Sequence, residues 1–219
     1  MSDKRMNIEQ LLTETLVVPL VHAEDPDVAV RTSRALAAGG LKVAEVVLRT
    51  DRSLECLQAV ANDVPQMIVG AGTVLNARQA TAALQNGAKF IVSPGLDEGV
   101  VDVAREHGVP VYPGTMTPGE IQHAFNMGLD TVKFFPATIA GGVPALKALA
   151  SIFRTMRFMP TGGISPRNLG DFVAVPAVLA CGGSWMTPAH SIESGDYDAI
   201  TTLAAEAVAI ARKARGLDK

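Results

Sequence analysis

The sequence predicts an α/β fold, a single (β/α)8 barrel with an extra helix at its N-terminus. Three observations carry this. Eight short β-rich apolar runs recur at near-regular intervals of a little over twenty residues. Helix start and stop signals lie between them, so the runs read as strands of a parallel sheet joined by helical crossovers. The first run leads into His22-Ala23-Glu24. A doubly wound sheet would offer a glycine-rich turn there.

The elements follow in order. Residues 1–15 read as a helix that caps the barrel floor. The strand runs are Leu16–Val21, Val43–Leu48, Met67–Ala71, Lys89–Ser93, Val109–Tyr112, Thr131–Phe135, Arg157–Thr161 and Ala177–Cys181. Asp25-Pro26 places an N-cap before a proline at the first helical position, and Ser165-Pro166 repeats the signal. Thr117-Pro118-Gly119-Glu120 is a capping box, and Asn76 with Gln79 is a weaker one. Gly40, Gly87, Gly108 and Gly128 stand just before the next run, where a helix ends most easily in a left-handed residue. After Asp196 the chain reads as an amphipathic helix with Ile200, Leu203, Ala204, Ala207, Val208 and Ile210 on one face.

Composition narrows the function. The chain has 219 residues, 48% hydrophobic and 19% charged, with no Pro/Ser-rich linker. It therefore reads as one domain over 1–219, with 1–15 the helical extension and 16–219 the barrel and terminal helix. A net charge of −3 and a pI near 5.8 argue against an electrostatic partner such as nucleic acid or an anionic membrane. No signal-peptide core or membrane-length apolar run is visible, which points to the cytoplasm. Cys56 and Cys181 lack metal-ligand spacing, as do His22, His107, His123 and His190. No metal or other cofactor is expected.

Chemistry in such barrels sits at the C-terminal ends of the strands. Side chains alternate along a strand, so parity shows which share a face. Val43, Glu45, Val47 and Arg49 share one face of the second run, and Thr131, Lys133 and Phe135 one face of the sixth. In the third, Val69 and Ala71 share a face with Thr73; in the seventh, Met159 shares one with Thr161. If these faces point inward, Glu45 and Lys133 lie inside the barrel and Arg49 and Thr73 at its mouth. Buried charges are costly unless paired or used. A structural ion pair is one reading. The other is chemical: an amine among apolar neighbours is a nucleophile that forms an imine with a keto substrate, and a nearby carboxylate moves the protons. Arg49 suits a planar carboxylate through its forked donors.

Gly162-Gly163 follows the seventh run, after Thr161, and Gly182-Gly183-Ser184 follows the eighth. Each is a tight turn on the plainer reading. At these paired positions they also make a phosphate site, since glycine lets backbone amides approach an anion.

These residues resemble the 2-keto-3-deoxy-6-phosphogluconate (KDPG) and 4-hydroxy-2-oxoglutarate aldolase family. The resemblance lies in Val43-Ala44-Glu45-Val46-Val47-Leu48-Arg49-Thr50, Val69-Gly70-Ala71-Gly72-Thr73-Val74-Leu75, Ser93-Pro94-Gly95, Val132-Lys133-Phe134-Phe135-Pro136-Ala137, the stretch Pro160 to Pro166, and Gly182-Gly183-Ser184-Trp185. It runs in order from about residue 16 onward and sides with the gluconate rather than the galactonate type. It implies a metal-free class I aldolase, a homotrimer, and a phosphorylated keto sugar acid as substrate. In that family's reaction, pyruvate and glyceraldehyde 3-phosphate are the products. Carried over, Lys133 forms the imine and Glu45 is the acid/base. Arg49 and Thr73 hold the substrate carboxylate, and Pro94 and Phe135 wall the pyruvate pocket. Thr161, Gly162, Gly163, Gly182, Gly183 and Ser184 meet the distal hydroxyl and phosphate. The chain departs from the family pattern at Thr138-Ile139-Ala140 and after the Pro113-Gly114 turn. Two other functions fit the residues: a metal-dependent pyruvate aldolase with Glu45 as ligand, and a non-catalytic barrel that binds a phosphorylated ligand.

Overall fold

The computed structural model describes residues 2–217, with side chains from Ile8 onward. Met1, Asp218 and Lys219 of the expected domain lie outside the described residues. The strands are β1 (Val17–Val21), β2 (Val43–Val47), β3 (Ile68–Gly72), β4 (Ile91–Val92), β5 (Val111–Tyr112), β6 (Gly114–Thr115), β7 (Thr131–Phe134), β8 (Arg157–Pro160) and β9 (Cys181–Gly183). The helices are α1 (Ser2–Thr15), α2 (Pro26–Ala38), α3 (Ser53–Asp63), α4 (Ala77–Gln85), α5 (Glu98–Glu106), α6 (Pro118–Asn126), α7 (Gly142–Ile152), α8 (Leu169–Val173), α9 (Ala189–Ser194) and α10 (Tyr197–Arg215).

All pairings are parallel. β5, β4, β3, β2, β1 and β9 form one run of neighbours, and β6, β7 and β8 another. Bridges from Phe158 to Val178 and from Thr161 to Gly182 join β8 to the β9 segment. β5 and β6 are halves of one barrel strand, parted at Pro113, which has no amide to give the ladder. The ring therefore closes on eight staves, as the sequence predicts.

Alternation sorts the strand residues between two cores. Val17, Val21, Ala44, Val46, Val69, Ala71, Val132, Phe134 and Phe158 pack outward among helix residues such as Leu36, Leu57 and Ala204. Val18, Val43, Phe90, Val92, Tyr112 and Met159 pack inside the barrel together with Ile8 and Leu12 of α1. The N-terminal helix thus plugs the barrel floor. It ends at Leu16, whose φ of 59° turns the chain directly into β1.

The expected caps hold locally. Asp25 accepts from the amides of Asp27 and Val28, Asn76 from Gln79, and Thr117 closes a full capping box with Glu120. Gly40, Gly87, Gly108 and Gly128 all have positive φ. Ser165-Pro166 does not start a helix. It opens a turn, and α8 begins only at Leu169 behind Asn168. On α10, Ile200, Ala204, Ala207 and Ala211 are the buried residues. Leu203, Val208 and Ile210 pack at its edge. Among the described residues no helix is long and apolar enough to cross a membrane.

Candidate active site

Lys133 stands in the middle of β7 and Glu45 in the middle of β2, both on the inward face. They are 3% and 1% exposed, and Lys133 Nζ lies 4.0 Å from Glu45 Oε1. Among the described residues neither Glu45 oxygen finds a hydrogen-bond donor. A buried carboxylate without donors is costly, and among the described residues the lysine is the ion-pair partner that offsets it. The ammonium also lies over the Phe135 ring, 4.9 Å from its centroid. Phe135 is one residue past β7 and half-buried.

The inward positions beside this pair are glycines. Gly114 is the register partner of Lys133, and a Cβ there would overlap the backbone of Pro94 and Gly95. The β4–α5 loop therefore closes onto β6 at the register partner of Lys133. On β3 the inward residues are Gly70, facing Phe90, and Gly72, facing the Glu45 carboxylate.

This corrects the expected parity of the third strand. Val69 and Ala71 face the helices, so strict alternation would send Thr73 outward. Thr73 instead has φ 59°, a conformation that strains a β-branched residue by an energy on the order of 1 kcal/mol. The twist brings its hydroxyl to Arg49, whose Nε donates to Thr73 Oγ1 at 2.9 Å. Arg49 is exposed just past the end of β2. The two residues meet at the mouth as expected, by a different local route.

Thr161 follows β8 and is buried, its hydroxyl donating to Met159 O at 3.3 Å. Gly162 and Gly163 follow with φ of 98° and 76°. The turn's carbonyls are tied down: Thr161 O by Ala137 N, Gly162 O by Thr138 N, and Gly163 O by Asn168 Nδ2. Among the described residues the amides of Gly163 and Ile164 donate to no protein acceptor. Such amides on a glycine turn at the mouth suit an anion.

Gly182 and Gly183 do not form the expected turn after the last strand. They are the strand, paired with Val18 and Pro19. They are glycines because a Cβ would overlap Thr161 at the first and the Trp185 ring at the second. Ser184 is the first residue past the strand and is exposed.

The four histidines are all exposed. His123 Nε2 pairs with Glu98 Oε1 at 2.9 Å, and His107 Nδ1 lies 2.9 Å from Val103 O. Among the described residues no group of three or more His, Cys, Asp or Glu could hold a metal ion. Cys181 is fully buried, and burial pushes its thiol far above the ordinary range. That makes it a poor nucleophile.

Sequence reasoning missed Gly72, Gly114, Thr138 and Asn168. Asn168 holds the glycine turn from one side, since its Oδ1 also accepts from Ser165 N at 2.8 Å. Thr138 braces the other side through its hydroxyl, 3.3 Å from Gly162 O. The short spacing from Ser165 to Asn168 was the available signal.

A family model described as KDPG and KHG aldolase matches residues 8–203. The KHG/KDPG aldolase of Escherichia coli K12 is 46% identical over 208 residues, covering 95% of this chain and 98% of that protein. The 2-keto-3-deoxy-6-phosphogluconate aldolase of Zymomonas mobilis ZM4, solved with 3-phosphoglycerate, has a TM-score of 0.87 and 41% identity over 93% of this chain and 96% of that one. The KDPG aldolase of Legionella pneumophila, with pyruvate captured as a covalent carbinolamine, has a TM-score of 0.86 and 34% identity over 90% of this chain and 96% of that one. With a barrel that carries a buried lysine–carboxylate pair in its interior, and a match that spans nearly its whole length, the chain belongs to the KDPG and KHG aldolase family.

Proposed function

We propose that this protein is a class I aldolase. It cleaves 2-dehydro-3-deoxy-6-phosphogluconate to pyruvate and glyceraldehyde 3-phosphate, and 4-hydroxy-2-oxoglutarate to pyruvate and glyoxylate. The observation that carries this is the buried Lys133–Glu45 pair, 4.0 Å apart inside the barrel.

Lys133 passes a proton to Glu45, and the freed Nζ lone pair attacks the C2 carbonyl; the proton shed by nitrogen moves to the former carbonyl oxygen to give a neutral carbinolamine. Glu45 protonates the departing hydroxyl, and water leaves to give an iminium ion. The C4 hydroxyl proton passes to Glu45 as the C3–C4 bond breaks. The electron pair of that bond flows into the iminium and leaves an enamine. The aldehyde departs, Glu45 returns a proton to C3, and water releases pyruvate. The iminium is the electron sink, so the chemistry asks for no Lewis acid.

Arg49, oriented by Thr73, binds the substrate carboxylate with charge-assisted donors. Pro94 and Phe135 enclose the pyruvate half. Thr161 meets a distal hydroxyl. Gly162, Gly163, Gly182, Gly183 and Ser184 receive the phosphate. The unengaged amides of Gly163 and Ile164 support that assignment.

The test is incubation with pyruvate and sodium borohydride, followed by peptide mapping. A reduced pyruvyl adduct on Lys133 is expected, and a folded protein with no adduct overturns the imine mechanism. Activity that persists in excess chelator separates this reading from a metal-dependent aldolase.

The protein works in the cytoplasm as a homotrimer. Met116 and Phe125 beside and on α6, with Ile139 and Ile152 beside and on α7, supply exposed apolar surface that a subunit contact would cover. Light scattering should return three times the 22.9 kDa chain mass.

A further inference from the structure

We propose that Gly72 is a positioning residue for the aldol reaction: its missing side chain lets the Glu45 carboxylate lie across β3 beside Lys133. This rests on the reading of Glu45 as the acid/base.

The register shows the lean. Glu45 is paired with Gly70 and Val47 with Gly72. Yet the Glu45 carboxylate lies over Gly72, one inward position nearer the mouth. A Cβ on Gly72 would overlap Oε1, Cδ and Cγ of Glu45. No hydrogen bond holds either carboxylate oxygen. Packing against the bare strand and attraction to Lys133 are therefore what locate it.

The same glycine is not needed by the backbone. Gly72 is absent from the positive-φ glycines, so an alanine fits its conformation. The three atoms nearest to such a methyl all belong to one unbranched side chain, which relieves the overlap by rotating away. Gly114 differs, because its Cβ would overlap the backbone of Pro94. Gly70 differs too, because it faces the ring of Phe90. Gly72 is thus the inward glycine whose substitution displaces the acid/base while the barrel stays intact.

The experiment is a kinetic double-mutant cycle with Gly72→Ala, Glu45→Ala and the pair, after a circular-dichroism melt of each. Gly72→Ala should lower kcat by about 100-fold, the lower range for loss of a positioned acid/base, with KM within about threefold. Borohydride trapping of pyruvate on Lys133 should still reach completion, while exchange of the pyruvate C3 protons in heavy water slows in step with kcat. In the Glu45→Ala background, Gly72→Ala should cost nothing further, since the two act as a unit.

Three outcomes overturn the proposal while leaving the acid/base reading in place. One is wild-type kcat and exchange in Gly72→Ala while Glu45→Ala is impaired. The second is an equal loss from Gly72→Ala in both backgrounds. The third is failure of both Gly72→Ala and the pair to fold. If Gly72→Ala alone fails to fold and Glu45→Ala restores it, the overlap with Glu45 is established. If instead Glu45→Ala keeps full kcat, the acid/base reading itself falls, and the positioning role with it.

Discussion

Replacing Lys133 by methionine keeps an unbranched chain of similar length and removes the charge. Glu45 then stays buried, 1% exposed, with no hydrogen bond and without the ammonium now 4.0 Å away. Opposite unit charges about 4 Å apart attract by about 4 kcal/mol at an effective dielectric near 20. Removing one partner of a buried pair costs a similar amount, about 3–5 kcal/mol, because the other is left uncompensated. The chain has 219 residues. At about 2.1 cal/mol/K of unfolding entropy per residue, such a loss lowers Tm by about 7–11 °C. Lys133→Met combined with Glu45→Met removes both charges and should recover to within about 1 kcal/mol of wild type or above it, since apolar replacement of a buried pair is typically neutral or stabilising. Thermal melts and urea titrations of the three proteins measure this, with borohydride trapping abolished in both variants. A single variant as stable as wild type would refute the reasoning. So would a double variant as unstable as the single, because the uncompensated charge would then not be the source of the loss.

Three more outcomes follow from the geometry. Thr117→Ala removes the capping-box hydroxyl of α6 and should cost about 1 kcal/mol, about 2 °C in Tm for a chain of this size, without changing kcat. Burial pushes the Glu120 carboxyl up, but donors from Met116 N, Thr117 N and Thr117 Oγ1 outweigh it and hold the group below the ordinary carboxylate range. The folded state therefore binds that proton less readily than the unfolded state. Glu120 stabilises fully above the ordinary carboxylate range, and the contribution is lost as pH falls through and below it. The stability gap between wild type and Glu120→Gln should be largest at neutral pH and close in acid; urea titrations across pH read it. Gly163→Ala puts a methyl against Thr138 at a φ of 76°. It should raise KM for the phosphorylated substrate by about tenfold, the worth of one charged hydrogen bond, and leave that for 4-hydroxy-2-oxoglutarate nearly unchanged.

Much of the site is legible along the chain because parity in a strand is a local property. Glu45 and Lys133 are each assigned by pattern to the face opposite their apolar neighbours: each stands mid-run, with those neighbours on the helix side. The caps at Asp25, Asn76 and Thr117 are legible for the same reason, since each bond spans two or three residues. The misreadings cluster where a strand ends. Thr73 leaves the alternation through a left-handed residue, which no periodicity announces. Ser165-Pro166 carries a helix-start signal, yet Asn168 ties Ser165 N and Gly163 O into a turn instead. Gly182 and Gly183 look like turn glycines, but Thr161 and Trp185 demand bare backbone within the strand.

The sequence by itself determined the eight-stave parallel barrel, the inward lysine and glutamate, and the helix boundaries that carry their own caps. These depend on alternation and on hydrogen bonds between near neighbours. The tertiary structure alone decided how far each inward side chain stands up the barrel. Only closure sets the stagger between strands, and stagger puts the Glu45 carboxylate over Gly72, Pro94 against Gly114, and Thr161 against Gly182. Whether a buried amine and a carboxylate stop 4.0 Å apart is settled by those overlaps between residues distant in the chain.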